Sequence, residues 1–215
     1  MLTICANNAF VNQQEADAAE TGLRITGVTT LEFGFVLFRF VGRADRTPIS
    51  CASSPWWFQA SAVRNILNDA RQTQATISHS AQMNAAVAAA WKNSCQYILV
   101  AKVYYPLKCF YGPPRPVGKT SHKAAISGLP DKAHLQRNAF EAEGILIPDY
   151  SVGQFYIPGF NTLLRCGGES EEHAKARVAK LVRTSLKIRP QSRIGVIPGI
   201  DEGGVEGMLR AMSTL

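Results

Sequence analysis

Three short stretches carry residues whose types suit a charged, ring-bearing ligand. In "FVLFRFVG" a single cation, Arg39, interrupts an otherwise apolar run. A charge in that setting is costly unless something pairs with it, and the guanidinium fork suits a pyrophosphate, which it grips with paired donors. In "SSPWWF" two hydroxyls, Ser53 and Ser54, stand beside two indoles, Trp56 and Trp57. Hydroxyls there can orient a ligand's polar groups, and an indole offers a flat surface to a planar ring. In "VGQFYIPGF" the carboxamide of Gln154 opens a short apolar run, with Glu141 and Glu143 just upstream in "FEAEGILIP". A carboxamide or carboxylate at a strand start, facing a cleft, can hydrogen-bond a ribose hydroxyl. Packing accounts for each feature taken singly. Arg39 then pairs with Glu32 or Asp45 or turns to water, Ser54 caps a helix, and the tryptophans fill a core.

A fourth stretch, "GPPRPVGKT" from Gly112 to Thr120, has the outline of a phosphate-gripping loop. That loop needs four residues between its glycines, because backbone N–H groups at this spacing cradle the phosphates. Here five separate Gly112 from Gly118, and three of them, Pro113, Pro114 and Pro116, have no N–H to donate. The stretch reads as a Pro-rich turn after a strand.

The elements that must position these residues follow from pattern. "LEFGFVLFRFVGR" (Leu31 to Arg43) reads as a buried strand, and "ISCASSPWWFQ" as a shorter extended piece. Pro55 fits the first turn of a helix with Ser54 as its cap, running through "WWFQASAVRNILNDARQ". A second helix is expected over Ala81 to Asn93, with Val87 and Trp91 on one face. "QYILVAKVYY" (Gln96 to Tyr105) is a strand, and "GILI" and "QFYI" are two short strands joined by a turn at "PDYSVG". The tail segment "EEHAKARVAKLVRTSLKI" is an amphipathic helix after a break at Gly167 and Gly168. The expected class is α+β, with a mixed or antiparallel split sheet and flanking helices.

Composition bounds the rest. The 215 residues suffice for a sizeable core, and 46% apolar with 18% charged residues describes an ordinary globular chain. No run is long and apolar enough to span a membrane, and the first residues carry neither a basic leader nor a long apolar segment. The five cysteines are scattered without C-x-x-C spacing, which points to reduced thiols in a cytosolic setting and against a zinc site. The net charge is +7, and Lys175 to Arg193 holds seven basic residues and no acid. Such a run is a solvated helix face or a surface for nucleic acid or an acidic partner.

The order and spacing of Arg39, Ser53 and Gln154 resemble the ADP-ribosyltransferase fold of bacterial toxins and effectors. The resemblance rests on "LFRF", "SSPWWF" and "QFYIP", with "YILVAKVYYPLKCFYG" between the last two, and covers about Leu31 to Phe160. The expected organisation is an ADP-ribosyltransferase-like domain over residues 1–160 and a basic helical appendage over 161–215, the part that the resemblance leaves unexplained. The resemblance implies NAD as the bound dinucleotide and cleavage of the nicotinamide–ribose bond through an oxocarbenium-like state. Arg39 would hold the pyrophosphate, Ser53 the ribose, with Ser54 beside it, and Trp56 or Trp57 the nicotinamide ring. Gln154 or Glu143 would act at the ribose 2′-hydroxyl. "CASS" stands where the family has Ser-Thr-Ser, and "EAE" sits one residue too far from Pro148 to match the family's paired glutamates. A Gln at the catalytic position matches the branch that hydrolyses NAD. The resemblance further implies a protein acceptor or an inhibitory immunity partner, and delivery into a target cell without a Sec-type signal. The competing reading is a non-enzymatic basic protein that associates with nucleic acid or docks on a partner.

Overall fold

The computed structural model describes residues 4–42, 46–87, 91, 93–118, 145–146, 152–193 and 210. Its centre is a seven-stranded sheet in the order β1-β5-β8-β3-β2-β4-β9. The strands are β1 (Gly27–Leu31), β2 (Val36–Val41), β3 (Trp56–Phe58), β4 (Tyr97–Val103), β5 (Leu107–Gly112), β8 (Gln154–Tyr156) and β9 (Leu186–Arg193). Every ladder in it is antiparallel. A separate pair, β6 (Val117–Gly118) and β7 (Ile145–Leu146), lies outside it. The α+β expectation holds, with helices flanking an antiparallel sheet.

Side chains alternate across the sheet, as a period of two requires. Leu37, Leu99, Ala101, Trp57 and Phe155 share one apolar cluster with Val178 and Val182 of the helix α5 (Glu171–Ser185) and with Cys51 and Ala52 of α2 (Pro48–Ala52). Phe38, Phe40, Phe58, Ile98 and Val100 pack on the opposite side against Ala62, Val63, Ile66 and Leu67. Those four lie on α3 (Ala60–Gln72), where Ala62, Ile66 and Ala70 recur at the spacing of one helical face. A smaller cluster joins Ala19 of α1 (Gln13–Glu20) to Leu23, Phe110 and Tyr156.

Several sequence expectations are corrected. Leu31 to Arg43 is not one strand: β1 ends at Leu31 and β2 begins at Val36, and between them Gly34 takes φ +87. Ile49–Ala52, expected to be extended, belongs to the helical turn Pro48–Ala52, where the Thr47 side chain accepts from the Ser50 N–H. Trp56–Phe58, expected as the start of a helix capped by Ser54, is a strand. It is hydrogen-bonded to β2 on one side and β8 on the other, and that pairing overrides the local Pro signal. The second helix, α4, spans Ile77–Asn84 under a Thr76 cap, and the chain leaves it at Ala86 with φ +50. The two short late strands are both present, Ile145–Leu146 joining β6 and Gln154–Tyr156 joining β3 and β5.

Residues 171–193, expected as an appendage, belong to the body. Ser170 caps α5 by accepting from the His173 N–H at 3.2 Å, and α5 buries Ala174, Val178 and Val182. The chain then runs directly into β9, which pairs along β4 from Val103 opposite Leu186 to Tyr97 opposite Arg193. Pro190 sits where this register shifts, at a sheet edge, the place where a missing N–H is tolerated. Among the described residues no helix is long and apolar enough to cross a membrane.

Candidate functional site

The sheet is thinnest between β2 and β3, where one residue pair, Phe38 opposite Phe58, makes the whole ladder. The next β2 residue is Arg39. Its Nη1 donates to the Trp56 carbonyl at 3.2 Å, so the guanidinium spans the place where the ladder stops. Its Nε is buried and has no acceptor. No carboxylate among the described residues pairs with it. Burial lowers its pKa from 12.5 to about 10, with nearby Arg46 pushing the same way. The group therefore stays charged at neutral pH.

Arg39 opens onto a cleft of about 670 Å³, within the range of roughly 300–1,000 Å³ usual for small-molecule sites. Ser53, Ser54, Trp56 and Gln154 line the same cleft. Five of the residues singled out in the sequence thus meet in one place, brought there by β2, the turn after α2, β3 and β8. The Ser53 hydroxyl donates to the Ile49 carbonyl at 2.8 Å, which leaves its oxygen able to accept. Gln154 is 4% exposed and its Nε2 donates to the Ala85 carbonyl at 3.2 Å. That bond ties the first residue of β8 to the end of α4 and fixes the carboxamide at the wall.

Trp56 and Trp57 part company. Trp56 lines the cleft and stacks edge-on against Tyr156, with ring centroids 4.9 Å apart. Gly22 packs directly on its tip: a Cβ there would stand 2.6 Å from the indole Cη2. Trp57 is wholly buried in the core beneath the sheet, its Nε1 satisfied by the Ser54 carbonyl at 2.9 Å. Adjacent residues of a strand face opposite ways, so only one of the two indoles can meet a ligand. Glu143 lies outside the described residues.

The charge balance of the cleft was not expected. Arg39, Arg46 and Arg115 line it, together with hydroxyls and the amides of Asn93 and Asn161, and the described lining contains no Asp or Glu. Arg46 and Arg115 come from "ADRTP" and "GPPRPVGKT", whose composition marks only turns. The Pro-rich turn has lost the backbone donors of a phosphate loop, yet it delivers a guanidinium to the cleft. Arg115 is held by its own N–H on the Gly22 carbonyl and its Nε on the Leu23 carbonyl, both at 2.8 Å.

Of the two thiols that line the cleft, Cys51 and Cys95, burial pushes the Cys95 thiol up to about 12, so it stays protonated at neutral pH. Among the described residues no group of three or more His, Cys, Asp or Glu is placed to hold a metal ion. Part of the basic run of the tail is already engaged. Lys175 pairs with Glu171 at 2.6 Å, while Arg177 binds Glu169 and the carbonyls of Gly159 and Leu164.

No family model, curated protein or solved structure matches the chain.

Proposed function

We propose that this cleft binds NAD and that the protein breaks its nicotinamide–ribose bond, as an ADP-ribosyltransferase or NAD glycohydrolase of toxin or effector type. One observation carries the reading. Arg39, Ser53 and Gln154, far apart in sequence, line a single cleft whose described walls hold three arginines and no acid. Such a wall attracts anions and repels none, and an indole beside it suits a planar ring.

The roles follow from position. Arg39 grips the pyrophosphate with a guanidinium that has an unused buried donor. Ser53 orients the nicotinamide ribose through its free lone pairs, and Trp56 packs the nicotinamide. Gln154 accepts from the ribose 2′-hydroxyl through its Oε1, since its Nε2 is already given to Ala85. A neutral carboxamide supplies that hydrogen bond without countering the charge that develops on the ribose. Water is then the simplest acceptor, unless Glu143 supplies the carboxylate.

The test is calorimetric titration with NAD, together with an assay of nicotinamide release, with and without a cell lysate as acceptor source. Gln154→Ala is expected to lower turnover more than affinity, because its bond matters most as the ribose becomes cationic. Loss of activity in Glu143→Gln with retention in Gln154→Ala would move the catalytic role to Glu143. Protein that neither binds NAD nor releases nicotinamide would end the proposal.

A further inference from the structure

We infer that Arg115 forms a second anion subsite in the cleft, on the Gly22–Leu23 segment that meets the tip of the Trp56 indole, so that the preferred dinucleotide carries an anionic group beyond its pyrophosphate. The inference rests on the reading of the cleft as a dinucleotide site and narrows its substrate class.

The geometry is a chain of contacts. Arg39 is hydrogen-bonded to the backbone carbonyl of Trp56. The indole of Trp56 runs from there until its tip meets Gly22. The Gly22 carbonyl in turn holds the backbone N–H of Arg115. Both guanidiniums line the cleft, Arg39 anchored at the Trp56 backbone carbonyl and Arg115 on the Gly22–Leu23 segment, whose Gly22 meets the tip of the same indole. Arg115 uses Nε on the Leu23 carbonyl, which orients the fork and leaves its two terminal nitrogens for a ligand. No carboxylate among the described residues pairs with it.

Charge counting points the same way. A pyrophosphate carries two negative charges and the cleft presents three guanidiniums without an acid among its described walls. Arg39 and Arg46 lie close enough to repel one another, so a pyrophosphate at that end neutralises both. Arg115 is then left with a cationic fork beside the ring. A carboxylate on the pyridine ring, in place of the carboxamide, meets it directly. A phosphate on the adenosine ribose meets it if the dinucleotide lies in the reverse direction. Both are the same chemistry, a third anion, and binding data separate them.

The experiment is calorimetric titration of the full chain with NAD, with NADP and with nicotinic acid adenine dinucleotide. One of the two more acidic dinucleotides is expected to bind about tenfold tighter than NAD, the value of one charge-assisted contact. Whichever it is gives the direction of the ligand. Arg115→Gln should cut the ratio of that ligand's affinity to NAD's, both measured in the variant, to about twofold or less, while Arg115→Lys, which keeps the cation, should retain part of the preference. Equal affinity for all three, or a preference that survives Arg115→Gln, overturns the inference while the NAD reading stands. Failure of all three to bind removes both.

Discussion

Arg39 donates one hydrogen bond, from Nη1 to the Trp56 carbonyl at 3.2 Å, and its buried Nε donates none. A guanidinium held this way is a liability to the fold. Its pKa falls from 12.5 to about 10 because the charged form is desolvated, and a depressed cation destabilises the fold at every pH below the lowered value. At roughly 1.4 kcal/mol per pKa unit the cost at neutral pH is about 3 kcal/mol.

Arg39→Met should therefore raise stability by about 1–2 kcal/mol, after the lost bond to Trp56 is counted. The same variant should weaken NAD binding by about 2–3 kcal/mol. Denaturant unfolding and calorimetry read the two effects separately. A variant that lost stability along with binding would mark Arg39 as an ordinary structural contact.

The two tryptophans should answer differently. Trp57→Phe is expected to lower stability by about 1–2 kcal/mol, since it leaves unfilled space in a packed core, with ligand affinity unchanged. Trp56→Ala should weaken ligand binding, because the indole on the cleft wall is lost. Thermal melts and titrations of the two variants, run side by side, check the assignment; an equal effect of both on binding would refute it.

A buried carboxylate gives the fold a pH dependence of its own. Glu15 accepts from the Tyr156 hydroxyl at 2.6 Å and from the Gly159 N–H at 2.7 Å. Burial nevertheless raises its pKa above the ordinary 4.5, against the lowering effect of these bonds and of Arg177. A raised carboxylate stabilises the fold while protonated, so this contribution is present at low pH and is lost as pH rises through the raised value. Glu15→Gln can serve both partners, accepting from Gly159 and donating to Tyr156. It should flatten the pH profile of stability above 4.5 and raise stability at neutral pH. Urea midpoints across that range provide the measurement, and a profile identical to the parent would exclude Glu15 as the source.

Residues 171–193 should be indispensable. Removing everything after Gly168 takes away β9 and the α5 residues Val178 and Val182, which leaves the β4 ladder open and part of the main cluster bare. The shortened chain is expected to lack a cooperative melt. A folded 1–168 fragment would show that the tail is an appendage after all.

What the sequence made legible follows from how local each signal is. The runs around Arg39 and from Gln96 to Tyr105 are apolar enough to be strands in any context, and the apolar stripe of α5 is local too. β3 was misread because "SSPWWF" carries a strong helix-start signal. Its strand character comes only from partners 20 residues or more away, such as Phe38 opposite Phe58 and Tyr156 opposite Trp56. β9 went unread because Pro190 and three cations argue against a strand except at an edge. In the site, Arg39, Ser53, Ser54, Trp56 and Gln154 could be named from residue type and order. Arg46 and Arg115 could not, since a lone arginine in a turn has no pattern that foretells where the turn will land.

The edge position of β9 has a consequence for how copies of the chain meet one another. A bare outer strand is a template on which a second molecule can extend the sheet. Among the described residues that strand ends the sheet; it carries Lys187 and Arg193, and Pro190 interrupts its row of donors at the register shift. A second copy approaching edge to edge would set like charges against each other and find a gap in the hydrogen-bonding line. The features that hid β9 from a pattern reading are thus the ones that guard the sheet against self-association at this side.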